Sequence, residues 1–226
     1  MKKLLFWMVL IVGIVALIGS CAKKDEDTAA TAASDNTTST DNTTSTTSYI
    51  STTTTASGSI TMGDDTLSGV YASECLTSAS TIAFFKATGF WASEVNAYGQ
   101  VFVVTGSDNI SIELYAFTDT SCSNLSQSQK TVSDNVTFGS ASGSNYPVTY
   151  NDQTKALTVH TTAAETALET LYSDALDFIV GTPIELPVSG SGLRYGLWTL
   201  SGTTWYEASS SSATPTSAGT VPHVKQ

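Results

Sequence analysis

Between Ile110 and Phe117 apolar and polar side chains trade places at almost every step. Ile110, Ile112, Leu114 and Ala116 share one face; Ser111, Glu113, Tyr115 and Phe117 share the other. A period of two is the repeat of a strand with one face buried. Similar short runs recur along the chain. Candidate strands cover Leu67 to Leu76, Ser80 to Ala87, Phe90 to Ala97, Gln100 to Thr105 and Val132 to Phe138. A hairpin is expected from Pro147–Tyr150 and Ala156–Thr161 around Asn151-Asp152. A last hairpin is expected from Leu193–Leu200 and Thr203–Ala208 across Ser201-Gly202. Gly, Asn and Asp stand between the runs, as turn chemistry requires. Short strands at this spacing predict an all-β barrel or sandwich. One segment breaks the rule. Thr162 to Glu165 has capping-box spacing, and Ala164, Leu168, Leu171, Tyr172 and Ala175 follow on one helical stripe. That pattern predicts an amphipathic helix of about three to four turns packed on the sheet.

The strand pattern occupies only residues 59–208, enough for one domain and its core. Residues 21–58 are a different material. Nineteen of the 30 residues from Thr28 to Ser57 are Ser or Thr, and Asp35–Thr40 repeats as Asp41–Thr46. Such a segment buries too little to offset its ordering entropy and is expected to act as a disordered tether. A flexible chain of this length reaches roughly 30–36 Å. A glycosylated or peptidoglycan-spanning stalk is the alternative. Residues 209–226 return to Ser, Thr and Ala with Pro215 and Pro222, and are expected to be an extended tail.

Residues 1–20 give the address. Met1-Lys2-Lys3 precedes an apolar run from Leu4 to Ile18, and Gly19-Ser20-Cys21 follows. A positive start and a 15-residue apolar run are the parts of an export signal, short for a spanning helix. Ile18-Gly19-Ser20-Cys21 resembles the bacterial lipobox, in which the cysteine thiol accepts diacylglycerol. The resemblance implies lipidation (a palmitate-type acyl anchor) at Cys21. Ala22 rather than Asp follows, which by the enterobacterial sorting rule implies the outer membrane of a bacterial cell envelope. An ordinary signal peptide or membrane anchor with an incidental cysteine is the alternative. Cleavage before Cys21 leaves 7 basic and 20 acidic residues, 7 − 20 = −13. The membrane is then a partner through the lipid rather than through charge. The acidity also excludes nucleic acid as a partner, since phosphate binding needs a Lys/Arg surface. Protein partners are not legible.

Cys75 and Cys122 remain as an even pair in an exported domain, most simply a disulfide; no CxxC or histidine partner supports a redox or metal pair. Three motifs then converge in order. Gly69-Val70-Tyr71-Ala72-Ser73-Glu74-Cys75 resembles an opening Gly-x-Trp-x-Ser-x-Cys strand. Phe117-Thr118-Asp119-Thr120-Ser121-Cys122 resembles an aromatic-x-Asp-x-x-Cys strand end, and Leu193-Arg194-Tyr195-Gly196 resembles a late Leu-x-aromatic-Gly strand. Together they resemble the lipocalin-like domain of the "APC down-regulated" family, which also occurs in bacterial lipoproteins. Tyr71 stands where that pattern has Trp, and its Arg-Pro pair after the last strands is absent. The resemblance implies a lipocalin-like barrel or half-barrel whose calyx takes a lipophilic small molecule.

Catalytic chemistry is thinly supplied. There is no Gly-x-Ser-x-Gly elbow or P-loop, and the two histidines, His160 and His223, are far apart in sequence. No catalytic residue, metal ligand or cofactor is expected. The aromatic side chains are the candidate ligand lining: Tyr71, Phe84, Trp91, Phe102, Tyr115, Trp198 and Trp205. The competing expectation is that most of them simply fill the core. The expected function is non-enzymatic binding or carriage of an apolar or amphipathic molecule. The alternative is a surface structural or adhesion module acting through its outer face.

Overall fold

A computed structural model describes residues 48–226, apart from 174 and 189. The export signal, Cys21 and the Asp35–Thr46 repeat lie outside the described residues. Eight strands close into an antiparallel, lipocalin-like β-barrel. They are β3 (Val70–Ala72), β4 (Ala97–Val104), β5 (Ile110–Phe117), β6 (Leu125–Phe138), β7 (Asn145–Val159), β9 (Leu193–Ser201), β10 (Thr204–Ser210) and β11 (Pro222–Lys225). Each pairs with the next in this series, and β11 pairs with β3 to close the ring. Closure removes the sheet edges that an open sheet of this length would expose. The hairpin β1 (Ile60–Met62) and β2 (Asp65–Leu67) stands apart from the ring, and β8 (Pro183–Leu186) adds to β7. Strand β7 pairs with β6 along one edge and serves two strands along the other: Asn145–Asn151 pairs with β9, and Lys155–Thr158 with β8.

Strand register sorts the two faces of the wall. Phe102 pairs with Ile112, Ile112 with Thr131, and Thr131 with Lys155. These residues face inward with Tyr71, Val104, Ile110, Trp198 and Trp205, which pack as one core cluster. Val101, Val103 and Phe117 face outward and are buried by a strap from Tyr49 to Ala56. Gly99 permits this: a Cβ there would lie 2.2 Å from Ile50 Cγ1. The two ends of the barrel are plugged. Ile60, Met62 and Leu67 of the β1–β2 hairpin fill the end near Val104 and Ile110. At the other end, helix α1 (Ala79–Ala87) and the following loop bring Ile82, Phe85, Trp91 and Val95 against Tyr98 and Ala116. Helix α2 (Thr162–Tyr172) sets Ala164 and Leu168 on Leu157 and Val159 at that same end. Thr161, not Thr162, is its N-cap: its Oγ1 accepts from Ala164 N at 3.1 Å.

Several local expectations are corrected. Ser80–Ala87, read as a strand, lies in α1. Its β-branched and aromatic residues suit a strand, yet Ile82 and Phe85 stand three apart and meet the barrel end on one helical face. Gly89, at φ +77°, then turns the chain out of the helix. Of the Phe90–Ala97 candidate strand, residues 90–96 are a loop, and β4 begins only at Ala97. Asn151-Asp152 is not a hairpin turn. The register steps from Ser133↔Asp152 to Val132↔Thr154, so Gln153 is an inserted residue in one continuous strand. The folded unit also exceeds 59–208. The strap from Tyr49 is packed on the barrel rather than free, and Pro222–Lys225 supplies the closing strand β11.

Candidate functional site

The seven aromatic candidates do not gather around one space. Tyr71, Phe102, Trp198 and Trp205 face inward and pack on one another. Ring centroids lie 5.4 Å apart for Tyr71–Trp205, 4.6 Å for Phe102–Trp205 and 4.6 Å for Trp198–Trp205. Aromatic pairs at such distances add about 0.5–1.5 kcal/mol each beyond the area they bury. These four are a filled core layer. Trp91 belongs to the end plug and lies 4.3 Å from the Phe85 ring. Phe84 is half-buried on α1, and Tyr115 lies on the outer face. The Cys75–Cys122 disulfide is present and lies in the outer-face cluster with Tyr115. It ties the chain after β3 to the turn after β5.

Between the aromatic layer and the helical end, the inner face changes character. Gln100, Gln127, Gln129, Thr131, Ser133, Asp152, Lys155, Arg194 and Glu207 all carry inward register. Gln100 pairs with Leu114, and Leu114 with Gln129. Tyr150 pairs with Arg194, and Trp198 with Glu207. Gln100, Gln129, Lys155, Arg194 and Glu207 are only half-buried although they face the inside of a closed ring. A close-packed interior seals its side chains. These five inward polar residues keep part of their surface accessible, unlike the sealed aromatic layer.

The electrostatics of this layer are uneven. Asp152 is fully engaged: Oδ1 accepts from Ser133 Oγ at 2.9 Å and Oδ2 from Arg194 Nε at 2.6 Å. Burial lowers the Lys155 ammonium from its ordinary value, and the nearby Arg194 guanidinium lowers it further, against the pull of Asp152. Burial pushes the Glu207 carboxyl up to about 7, with Ser209 as its one hydrogen-bonding counterweight. Burial lowers His223 to about 4; its Nδ1 lies 3.3 Å from Trp205 O and its Nε2 3.3 Å from Gln100 Oε1. Three buried polar atoms have no hydrogen-bond partner among the described residues: Gln127 Oε1, Trp198 Nε1 and Trp205 Nε1. All three belong to inward-facing residues.

A groove of about 180 Å³ runs between the start of the strap and β5–β6, lined by Tyr49, Ile50, Tyr115, Phe117 and Leu125 among others. Beside it Glu113, 2% exposed, accepts hydrogen bonds from Thr52 Oγ1, Thr54 Oγ1, Ser111 Oγ and Tyr115 OH. Lys130 Nζ stands 4.0 Å from it. Burial and the adjacent Glu113 carboxylate hold the Tyr115 phenol well above its ordinary value. This cluster fastens the strap to β5. His160 bonds Ser128, the register partner of the groove residue Tyr115, with Ser128 Oγ 3.0 Å from its Nε2.

Sequence reasoning missed the polar layer because it followed apolar residues. The signal in β6 is an alternation of polar size: Gln127, Gln129, Thr131 and Ser133 inward, with Ser126 and Ser128 flanking Gln127. No protein-family model matches the chain, and no curated protein matches it in sequence.

Proposed function

We propose that the chain is a non-enzymatic binding or carrier protein of a bacterial envelope, held to the membrane through lipid on Cys21. Its ligand enters the barrel interior. The single observation that carries this reading is the half-buried polar layer between two packed plugs. A barrel built only for stability would extend its Tyr71–Phe102–Trp198–Trp205 packing through that level. The occupant is amphipathic rather than wholly apolar, because Gln100, Gln129, Lys155, Arg194 and Glu207 require polar partners once desolvated. The lipobox-like Ile18–Cys21 supports the address, and the three ordered motifs from Gly69, Phe117 and Leu193 support the "APC down-regulated" type of lipoprotein. The polar-lined interior fits a ligand site with few but directional contacts.

Native mass spectrometry of the protein purified from its own envelope tests this. A co-purifying small molecule of defined mass is expected. Repeated absence of any such mass across gentle preparations contradicts the reading. A surface or adhesion module is the second reading. It is favoured by the exposed apolar tip after α2, where Ile179 is 54% and Val180 42% exposed.

A further inference from the structure

The chain is acidic outside and cationic at one level inside. Its formal net charge is −11, and Arg194 is its sole arginine. That arginine faces the barrel interior, and Lys155 faces the same space. Five basic side chains fall among residues 48–226. Placing two of them within electrostatic reach of each other inside a barrel is costly unless an anion is present. Asp152 supplies one negative charge, and both its oxygens are already engaged by Ser133 and Arg194. No hydrogen bond from Lys155 Nζ to a described residue accompanies this. Arg194 bonds Asp152 through Nε, which leaves the Nη edge of its fork for another acceptor. Glu207 does not complete the balance. Burial pushes its carboxyl up to about 7, so near neutral pH it carries only part of a negative charge. The inner face therefore sets two cations, Lys155 and Arg194, against the engaged Asp152 and a partly ionised Glu207.

We infer that the barrel interior holds an anion site, and that its occupant presents a carboxylate between Lys155 Nζ and the Nη edge of Arg194. This rests on the binding reading above and names the chemistry of the ligand's head. Paired cationic donors suit a carboxylate because both of its oxygens take charge-assisted hydrogen bonds. The bulk of the occupant then lies against Leu114 and Ile112, the half-buried apolar residues of the same inner face.

The test is calorimetric titration of the full chain in nanodiscs with three probes: hexanoate, hexan-1-ol and acetate. Wild type is compared with Lys155→Met and Lys155→Arg, and thermal unfolding of each variant checks the fold. Hexanoate is expected to bind wild type at least tenfold tighter than hexan-1-ol. Lys155→Met is expected to lose at least tenfold in hexanoate affinity and nothing in hexan-1-ol affinity, while Lys155→Arg restores hexanoate binding. Acetate binding as tight as hexanoate assigns the site to a small free carboxylate; weaker acetate binding assigns it to the head of an amphiphile. Equal affinity for hexanoate and hexan-1-ol, or unchanged hexanoate binding in folded Lys155→Met, overturns the anion site and leaves the binding reading standing. Binding of none of the probes overturns the anion site. If native mass spectrometry also finds no ligand, the binding reading falls with it.

Discussion

Glu113, buried on the outer face of the wall, and Glu207, half-buried on its inner face, are treated differently by the chain. Glu113 lies outside, under the strap, where four hydroxyls and Lys130 converge on its oxygens. Glu207 lies inside with Ser209 alone, and burial pushes its carboxyl up to about 7. The outer face satisfies its buried charge completely, as a structural seam must. The inner layer leaves charges and amides incompletely matched, a cost that packing alone would select against. The difference separates the side that holds the fold together from the side that has spare chemistry.

The largest expected effect falls on the structural side. Replacing Cys75 and Cys122 together by alanine opens a loop with a sequence separation of 47. A loss of about 4 kcal/mol is expected from chain entropy, read by urea unfolding. A loss near zero would remove the outer face as the fold's main fastening.

Glu207→Gln sharpens the inner side. The folded carboxyl titrates at about 7 against an ordinary value of 4.5. The unfolded chain therefore releases this proton first as pH rises. Stability from this group falls between pH 4.5 and 7, and the penalty is complete above pH 7. Glu207→Gln is expected to gain about 3 kcal/mol at pH 8 and little at pH 4. His223 has the opposite slope: its folded value of about 4 lies below 6.5, so stability falls as pH drops through that window. In wild type the two slopes offset each other over much of the same range. In Glu207→Gln the acid-side loss from His223 stands alone, which a pH series of melting curves reads directly. A variant whose gain is the same at pH 4 and pH 8 would contradict the raised carboxyl.

Glu113→Gln comes next in size. An amide keeps one acceptor oxygen where the carboxylate had two, so part of the hydroxyl cluster loses its partner. About 2 kcal/mol of stability is expected to go, with faster proteolysis at the strap near Thr52 and Thr54. Lys155→Met is expected to have the smallest effect on stability, neutral or a gain of up to about 1 kcal/mol, because it removes a buried ammonium and keeps the volume. A fall of several kcal/mol would make Lys155 structural and erase the contrast with Glu113.

Much of the wall was legible because its outer and inner faces differ in polarity. Ile110–Phe117 alternates clearly enough to place Glu113 and Tyr115 on one side and Ile112 and Leu114 on the other. The Ser201-Gly202 turn and the Ala164–Leu168 stripe of α2 were legible for similar reasons, as local chemistry agrees with the fold. Segments decided by distant partners were not. Ile82 and Phe85 form a helix because a barrel end needs a plug, a fact absent from their own neighbourhood. Pro222–Lys225 is too short and polar to announce a strand, yet His223 is buried where β11 meets Trp205 and Gln100. Asn151-Asp152 has turn chemistry locally, but Arg194, 42 residues away from Asp152, draws that carboxylate inward and keeps the strand continuous. The candidate site was the least legible part. The aromatic residues that looked like lining pack on each other, whereas the polar layer sits in strands whose inner faces carry no apolar period.

The anion site proposed at Lys155 and Arg194 has a direct crystallographic test. Crystals of the full chain soaked in bromide measure this directly through anomalous scattering. A bromide peak inside the barrel, within hydrogen-bonding reach of Lys155 Nζ and the Arg194 Nη edge, is the predicted result. A dry layer closed by side chains, with Lys155 turned out to solvent and no anomalous peak, would contradict it.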